Sequence, residues 1–363
     1  MIQWRAGRVV ALSARWPGAV ETQVELDRPL TDGGGLLVRA LAYPLLVGEP
    51  ELGDRVLLNT TALAMGLGTG GQALIVAIPD RLPPDAPPAP GHLVKARYTP
   101  SQATVLGVDE QDSPHHAVIA DAEGIDGMPV VIADLHSALP AVLAGIHDHD
   151  PQLRVAYVLT DGGALPMWYS RTVAGLRDRL AGTVSTGQSL GGDLEATTVH
   201  TGLLAARHVL MADIAIVSQG PGNLGTGTPW GFSGVTAGEV VNAVAVLGGF
   251  PVGALRMSDA DPRERHRGVS HHALTAFGRV AMASADLVVP DRLSAELAEV
   301  VREQLAPLSD RHWIVEVGTE GLDAALRASP VPLSTMGRGL DEDYAYFLAA
   351  AAAGRHAAML AKP

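Results

Sequence analysis

Six short apolar runs constrain this chain more than any other feature: Pro129–Ala133, Arg154–Leu159, Asp213–Val217, Pro251–Leu255, Asp286–Val289 and Trp313–Val317. Within each, apolar residues sit at successive rather than alternate positions, so both faces of the strand must be buried. Segments with helical spacing lie between them. Such a pattern predicts an α/β fold with a mainly parallel, doubly wound sheet covered on both sides. Ligands of open parallel sheets bind beyond the carboxyl ends of the strands, so the segment after each run is where function is expected.

Ahead of this region the pattern differs. Gly7–Leu12, Glu21–Leu26, Gly35–Arg39, Gly53–Leu58 and Gln72–Ala77 are short strand-like segments separated by Gly- and Asp-containing turns. They predict a small β-barrel or sandwich. Leu82-Pro-Pro-Asp-Ala-Pro-Pro-Ala-Pro-Gly91 resists helix and central strand alike and reads as a semi-rigid linker. The expected organisation is therefore an all-β domain over 1–80, a linker over 81–91 and an α/β domain over 92–363. GLGTGG at Gly66–Gly71 reads as a flexible hairpin loop, because a phosphate loop would want a helix behind it.

Composition removes several classes of function. There is no cysteine, which excludes disulfides, thiolate metal sites and cysteine nucleophiles. The formal net charge of −13 disfavours a polyanion partner, so no nucleic acid is expected. The apolar stretch Val240–Leu255 is broken by Asn242, Gly248, Gly249 and Pro251, and no span or signal core is evident. No membrane association and a cytoplasmic location are expected. Apolar residues at 47% suggest surface buried between subunits, hence a homo-oligomer.

The strand ends are polar. Thr160-Asp161-Gly162-Gly163 follows the second run, and Gln219-Gly220-Pro-Gly222-Asn223-Leu-Gly225-Thr226-Gly227 follows the third. Glycine there lets backbone N–H groups approach an anion, so Gly162, Gly163, Gln219, Gly220, Gly222, Asn223, Gly225, Thr226 and Gly227 are the candidate ligand contacts. Gly220–Gly225 matches G-x-G-x-x-G, but the next helix opens only near Thr236, too late for a dinucleotide fingerprint. Trp230 and Phe232 could stack on a planar ligand or anchor the loop itself. After the fourth run, Asp259 and Asp261 have the spacing of a divalent-cation pair, for Mg²⁺ or Mn²⁺. Arg263, Arg265 and Arg267 add anion-binding capacity. Asp161, His200, His271 and His272 are the candidate acid–base groups, and His266, His271 and His272 could serve either as ligands or as acid–base groups.

Gly187-Gln-Ser-Leu-Gly191 matches G-x-S-x-G with a short strand before it and a helix expected from Asp193, the context of a nucleophile elbow at Ser189. Thr236 and Glu239 have capping-box spacing at the start of a helix that ends at Gly248-Gly249. The last helix is expected to open with Asp341 and Asp343 in its first turn and to dock through Tyr344, Phe347, Leu348, Ala351 and Ala352.

Taken in combination, Gly91-His-Leu-Val-Lys-Ala-Arg-Tyr-Thr-Pro100, Ser113-Pro-His-His116, Thr160-Asp-Gly-Gly163, Gln219–Gly222 with Gly225–Thr228, His266-Arg-Gly-Val-Ser-His-His272 and Ser334-Thr-Met-Gly-Arg-Gly339 resemble an uncharacterised bacterial family, a domain of unknown function found in actinobacteria and firmicutes. The resemblance implies no activity and no assigned residues. Three readings stay open: binding and transformation of a small anionic or phosphorylated metabolite at the sheet edge, a non-catalytic ligand-sensing or partner-binding regulatory protein, and a serine hydrolase using Ser189.

Overall fold

A computed structural model describes residues 1–68 and 70–361. The chain forms two compact units, one of residues 1–90 with 96–104 and one of 91–95 with 105–363. The Pro-rich stretch has no regular secondary structure and belongs to the first unit. Thr69 of the GLGTGG stretch lies outside the described residues.

In the first unit β1 (Trp4–Trp16), β2 (Ala19–Leu26), β3 (Leu37–Ala42), β4 (Arg55–Asn59) and β5 (Gln72–Ala77) close a barrel in the order β1-β2-β3-β5-β4. Closure removes exposed sheet edges. Val9, Val24, Ala40, Leu58 and Ile75 fill the interior.

The second unit is built on eight parallel strands. They are β6 (Pro129–Ala133), β7 (Val155–Thr160), β8 (Gly182–Ser185), β9 (Leu194–Glu195), β10 (Ile214–Gln219), β11 (Phe250–Ala254), β12 (Asp286–Pro290) and β13 (Trp313–Val317). Their order across the sheet is β9-β8-β7-β10-β6-β11-β12-β13. Alternate side chains enter two separate cores. Val130, Ile132, Ala215 and Val217 face one, and Val131, Ala133, Ile214 and Ile216 face the other.

The first core is covered by α3 (Val199–His208), α4 (Thr236–Val246), α5 (His271–Thr275) and α6 (Ala295–Leu305). The second is covered by α1 (Leu139–His149), α2 (Arg171–Leu176), α7 (Leu322–Arg327) and α8 (Tyr344–Leu360). The chain moves outward from β6 through β7 and β8 to β9, then returns to β10 and continues to β11. Connections leaving β6 and β10 therefore diverge to opposite faces, which makes the carboxyl ends of these neighbours the topological switch point.

The helix ends depart from their sequence signals more than the strands do. Leu194–Glu195 is a strand where a helix from Asp193 was expected, and the helix begins only at Val199. Thr236 does open α4, but no side chain caps it; its hydroxyl donates to Ser233 O at 3.2 Å. Asp343 precedes α8 without capping it, because its carboxylate is held by Ser258 and Arg338. The Ala-rich α8 docks on its own domain, with Phe347, Leu348, Ala351 and Ala352 buried in the second core. Among the described residues no helix is long and apolar enough to cross a membrane.

Candidate functional site

Register sets the site. Val217 pairs with Ile132, Ala254 with Ala133, and Gln219 with Thr160. Asp134, Gln219 and Leu255-Arg256 therefore leave the sheet at one level, on three adjacent strands. Asp134 is fully buried, and burial pushes its carboxyl up to about 6, with the Arg256 guanidinium pulling the other way. Gln219 donates from Nε2 to the Asp134 carbonyl and to Asn223 Oδ1, both at 2.8 Å. Asp134 Oδ2 and Gln219 Oε1 are buried without a hydrogen-bond partner. Between them lies a narrow cleft of about 10 Å³, room for about one water, with Thr160, Ser218, Gly234 and Thr236 in its wall.

A buried polar chain runs below it. Ser170 Oγ lies 2.7 Å from His136 Nε2, His136 Nδ1 lies 2.9 Å from the Tyr157 hydroxyl, and that hydroxyl lies 2.9 Å from Ser218 Oγ. Burial lowers His136 to about 4, so the ring is neutral.

The glycines divide into two kinds. A Cβ on Gly162 would lie 2.7 Å from Gln219 Oε1, and one on Gly163 or Gly220 would collide with backbone of the opposite loop. Ala164 N donates to Pro221 O at 2.8 Å across the same contact. Gly163 and Gly220 let the loops after β7 and β10 pack backbone to backbone, and Gly162 leaves room for the Gln219 side chain, so ligand contact is not what requires them. Gly222, Gly225 and Gly227 instead have nothing within 4 Å of the Cβ position, with Gly222 and Gly227 at positive φ.

Asn223 Oδ1 accepts from Gln219, Ser233 Oγ and Gly234 N, which makes it the staple of the loop. Thr226 closes a small turn by donating its N–H to Gly231 O at 2.7 Å. Phe232 is the loop's anchor, stacked on His272 at 3.9 Å between ring centroids and 6° between planes. Trp230 is half exposed under Arg279, whose guanidinium carbon lies 4.1 Å from its ring centroid.

Phe232 brings the glycine loop against His271 and His272, which in turn pack on His266. The three rings have centroids 4.3 to 5.0 Å apart. Burial holds His266 and His272 down at about 3, aided for His266 by Arg256 and Arg263 and for His272 by His271 and then Arg256. His271 is lowered by burial and by Arg265, Arg256 and Arg263. All three are neutral imidazoles in a positive field. His271 Nε2 and His272 Nδ1 are buried with no hydrogen-bond partner.

Asp259 and Asp261 do not form a cation pair. Asp261 is buried and bound by Arg256 at 3.1 Å, Arg263 at 2.8 Å and Arg338 at 3.3 Å, while Asp259 is exposed. A Mg²⁺ or Mn²⁺ ion would have to displace three guanidiniums. Nor is Ser189 a nucleophile on an elbow. Its hydroxyl is 0% exposed and donates to Thr186 O at 2.6 Å and Leu159 O at 3.2 Å, and a strand rather than a helix follows. His200 lies exposed in the first turn of α3, in contact with none of these groups. Asp161 is exposed and accepts the Gln188 N–H at 2.8 Å.

Lys95 is wholly buried and donates to Gly187 O and Ala196 O, with Glu195 Oε2 at 3.2 Å as its counter-ion. It staples the sheet's short outer strand. Asp134 stands at a polar strand end without being among the expected site residues, and one signal marks it: an acid directly after a run buried on both faces.

The fold and these strand ends define an α/β protein with a polar rim at its switch point, joined to an N-terminal β-barrel unit. Residues 39–354 match the family described as a protein of unknown function, DUF3866, and the chain belongs to that family. No curated protein and no solved structure matches it.

Proposed function

We propose that the rim at the switch point binds a small anionic metabolite, a carboxylate or phosphate ester, and that Asp134 acts on it as an acid–base group. The observation that carries this reading is the set of buried unpartnered atoms. Of the five such atoms among the described residues, Asp134 Oδ2, Gln219 Oε1, His271 Nε2 and His272 Nδ1 lie at the end of, or on segments after, three adjacent strands, while Glu195 Oε2 faces Lys95 at the sheet's outer strand. A desolvated polar group without a partner costs about 1–3 kcal/mol, so several together mark a place that something else completes.

The charge of the ligand follows from its surroundings. Burial first, and then Arg256, Arg263 and Arg265, lower the His271 and His272 imidazoles, and the positive field of those arginines attracts an anion. The cleft admits only the polar end of a ligand, and its two orphaned acceptors, Asp134 Oδ2 and Gln219 Oε1, call for a hydroxyl or amino donor there rather than the anionic group itself. The body would lie along Gly222, Gly225 and Gly227, where backbone N–H groups are approachable. A carboxyl that titrates near neutral pH is matched to proton transfer, unlike an ordinary aspartate.

Asp134 should therefore reduce stability, as functional groups often do. Its folded pKa lies above the ordinary 3.9, so the folded state binds the proton more tightly. This group's contribution is then most favourable below pH ~4 and becomes unfavourable as pH rises towards about 6. Asp134→Asn removes the penalty. Denaturant titrations are expected to show Asp134→Asn more stable than wild type by about 1–3 kcal/mol at pH 7, and little changed at pH 4. A loss of stability at pH 7 would mean that the carboxylate is ionised and structurally paired, and the acid–base assignment would fail.

A further inference from the structure

We infer that His266, His271 and His272 hold a divalent transition-metal ion, with an open coordination position facing the rim. Each offers one ring nitrogen, and these nitrogens lie within 4.8 Å of one another. A tetrahedral ion with Zn–N bonds of 2.0–2.1 Å requires donors about 3.3 Å apart. Small side-chain rotations bring three rings already in contact to that spacing.

The surroundings are those of a held ligand set. His266 Nδ1 lies 2.7 Å from Ser270 Oγ, which presents the opposite nitrogen, Nε2, as the ligand atom. Ser270 also caps α5 by accepting the His272 N–H, so one hydroxyl fixes both the helix start and a ring. His272 is clamped face to face on Phe232, and His271 meets the same ring edge-on at 6.2 Å. Were the trio only packing, His271 Nε2 and His272 Nδ1 would stay desolvated with no partner. A metal ion satisfies both.

Donor chemistry selects the ion. Three imidazoles and no carboxylate suit Zn²⁺, Co²⁺ or Ni²⁺ and discriminate against Mg²⁺, Ca²⁺ and Mn²⁺. The charged groups facing the trio are Arg256, Arg263, Arg265 and Asp261. Asp261 offsets Arg256 and Arg263 through direct ion pairs. The remaining positive charge disfavours a bare dication and favours one that carries an anion or hydroxide in its fourth position. Three protein ligands with one open position is the arrangement of catalytic rather than structural zinc. The inference stands on the trio itself and does not require the metabolite reading.

The test is a Co²⁺ titration of the full chain in Hepes without added metabolite, read by visible d–d absorption. One equivalent is expected to give an intense tetrahedral spectrum that Zn²⁺ displaces. His266→Ala and His272→Ala should abolish it, Ser270→Ala should weaken affinity about 10–100-fold, and the exposed His149→Ala should leave it unchanged. No spectrum, or one that survives His266→Ala and His272→Ala, overturns the assignment. If those variants fail to fold, a zinc-edge anomalous map of wild-type crystals decides: a peak among the three rings supports the site, and its absence refutes it. Co²⁺ bound here by a protein that enriches no anionic metabolite would keep the metal site and discard the metabolite reading.

Discussion

Replacing Asp261 with alanine is expected to destabilise the α/β unit by about 3–5 kcal/mol, the usual effect of leaving a buried charge without its partner. The stranded group is Arg256, only 3% exposed and unable to shed its proton. Asp261 holds it at 3.1 Å while also binding Arg263 through Nε at 2.9 Å and reaching Arg338, itself paired with Asp343 at 2.7 Å. Ser258 completes the network by donating to Asp343 at 2.7 Å and accepting the Asp261 N–H at 3.1 Å.

Not every member should matter equally. Arg263 is about one-third exposed, so Arg263→Ala is expected to cost no more than about 1 kcal/mol. The pH dependence has a definite sign. Hydrogen bonds from Arg263 hold the Asp261 carboxyl below the usual carboxylate range despite its burial. Its contribution is thus complete above the unfolded pKa of about 3.9 and is lost as pH falls further. Urea titrations at pH 7 and pH 3 should show the Asp261→Ala penalty shrinking at the lower pH. Equal penalties at both would mean that the ion pairs are not what the carboxylate supplies.

The second large effect is expected where α1 crosses α8. A Cβ on Gly145 would fall inside the Ala351 carbonyl oxygen, and one on Gly354 inside the Val142 carbonyl oxygen. The two glycines thus make a reciprocal notch that lets the helix backbones touch. Gly354→Ala improves helix propensity by about 1 kcal/mol, yet it forces apart two helices that cover the second core. Overpacking of this kind costs about 1–3 kcal/mol and occasionally more, and here backbone rather than a movable side chain is the obstacle. A net loss of up to about 2 kcal/mol is expected, against less than about 0.5 kcal/mol for Met359→Ala on the exposed side of the same helix. A stabilised Gly354→Ala protein would show that propensity, not the crossing, governs this position.

The sheet was legible because its strands are buried on both faces. Val130 to Ala133 and Ile214 to Val217 declare that burial in their own residues. The outer strand Leu194–Glu195 was not legible, since two residues carry no periodicity. The site was legible as a rim and misread in its parts. Gly163 and Gly220 read as ligand donors, but their function is to admit each other's loop, a contact between segments more than fifty residues apart. Asp259 and Asp261 read as a metal pair because Arg256, the buried arginine that pairs with Asp261, looked like one basic residue among many. Asp134 looked ordinary, and its burial depends on groups brought in by other strand ends. His271 and His272 stood out as residues, whereas Phe232, which locks them to the glycine loop, is nearly forty positions away.

The central claim is that one rim, not scattered loops, captures a small anion. Equilibrium dialysis of the intact chain against a cell metabolite extract, followed by mass spectrometry of the bound fraction, tests it most directly. Wild type is predicted to enrich one or a few small carboxylates or phosphate esters. Arg265→Ala, altered only at an exposed side chain, and Asp134→Asn are predicted to enrich the same species less. Enrichment of nothing, or equal enrichment by all three proteins, would contradict the account.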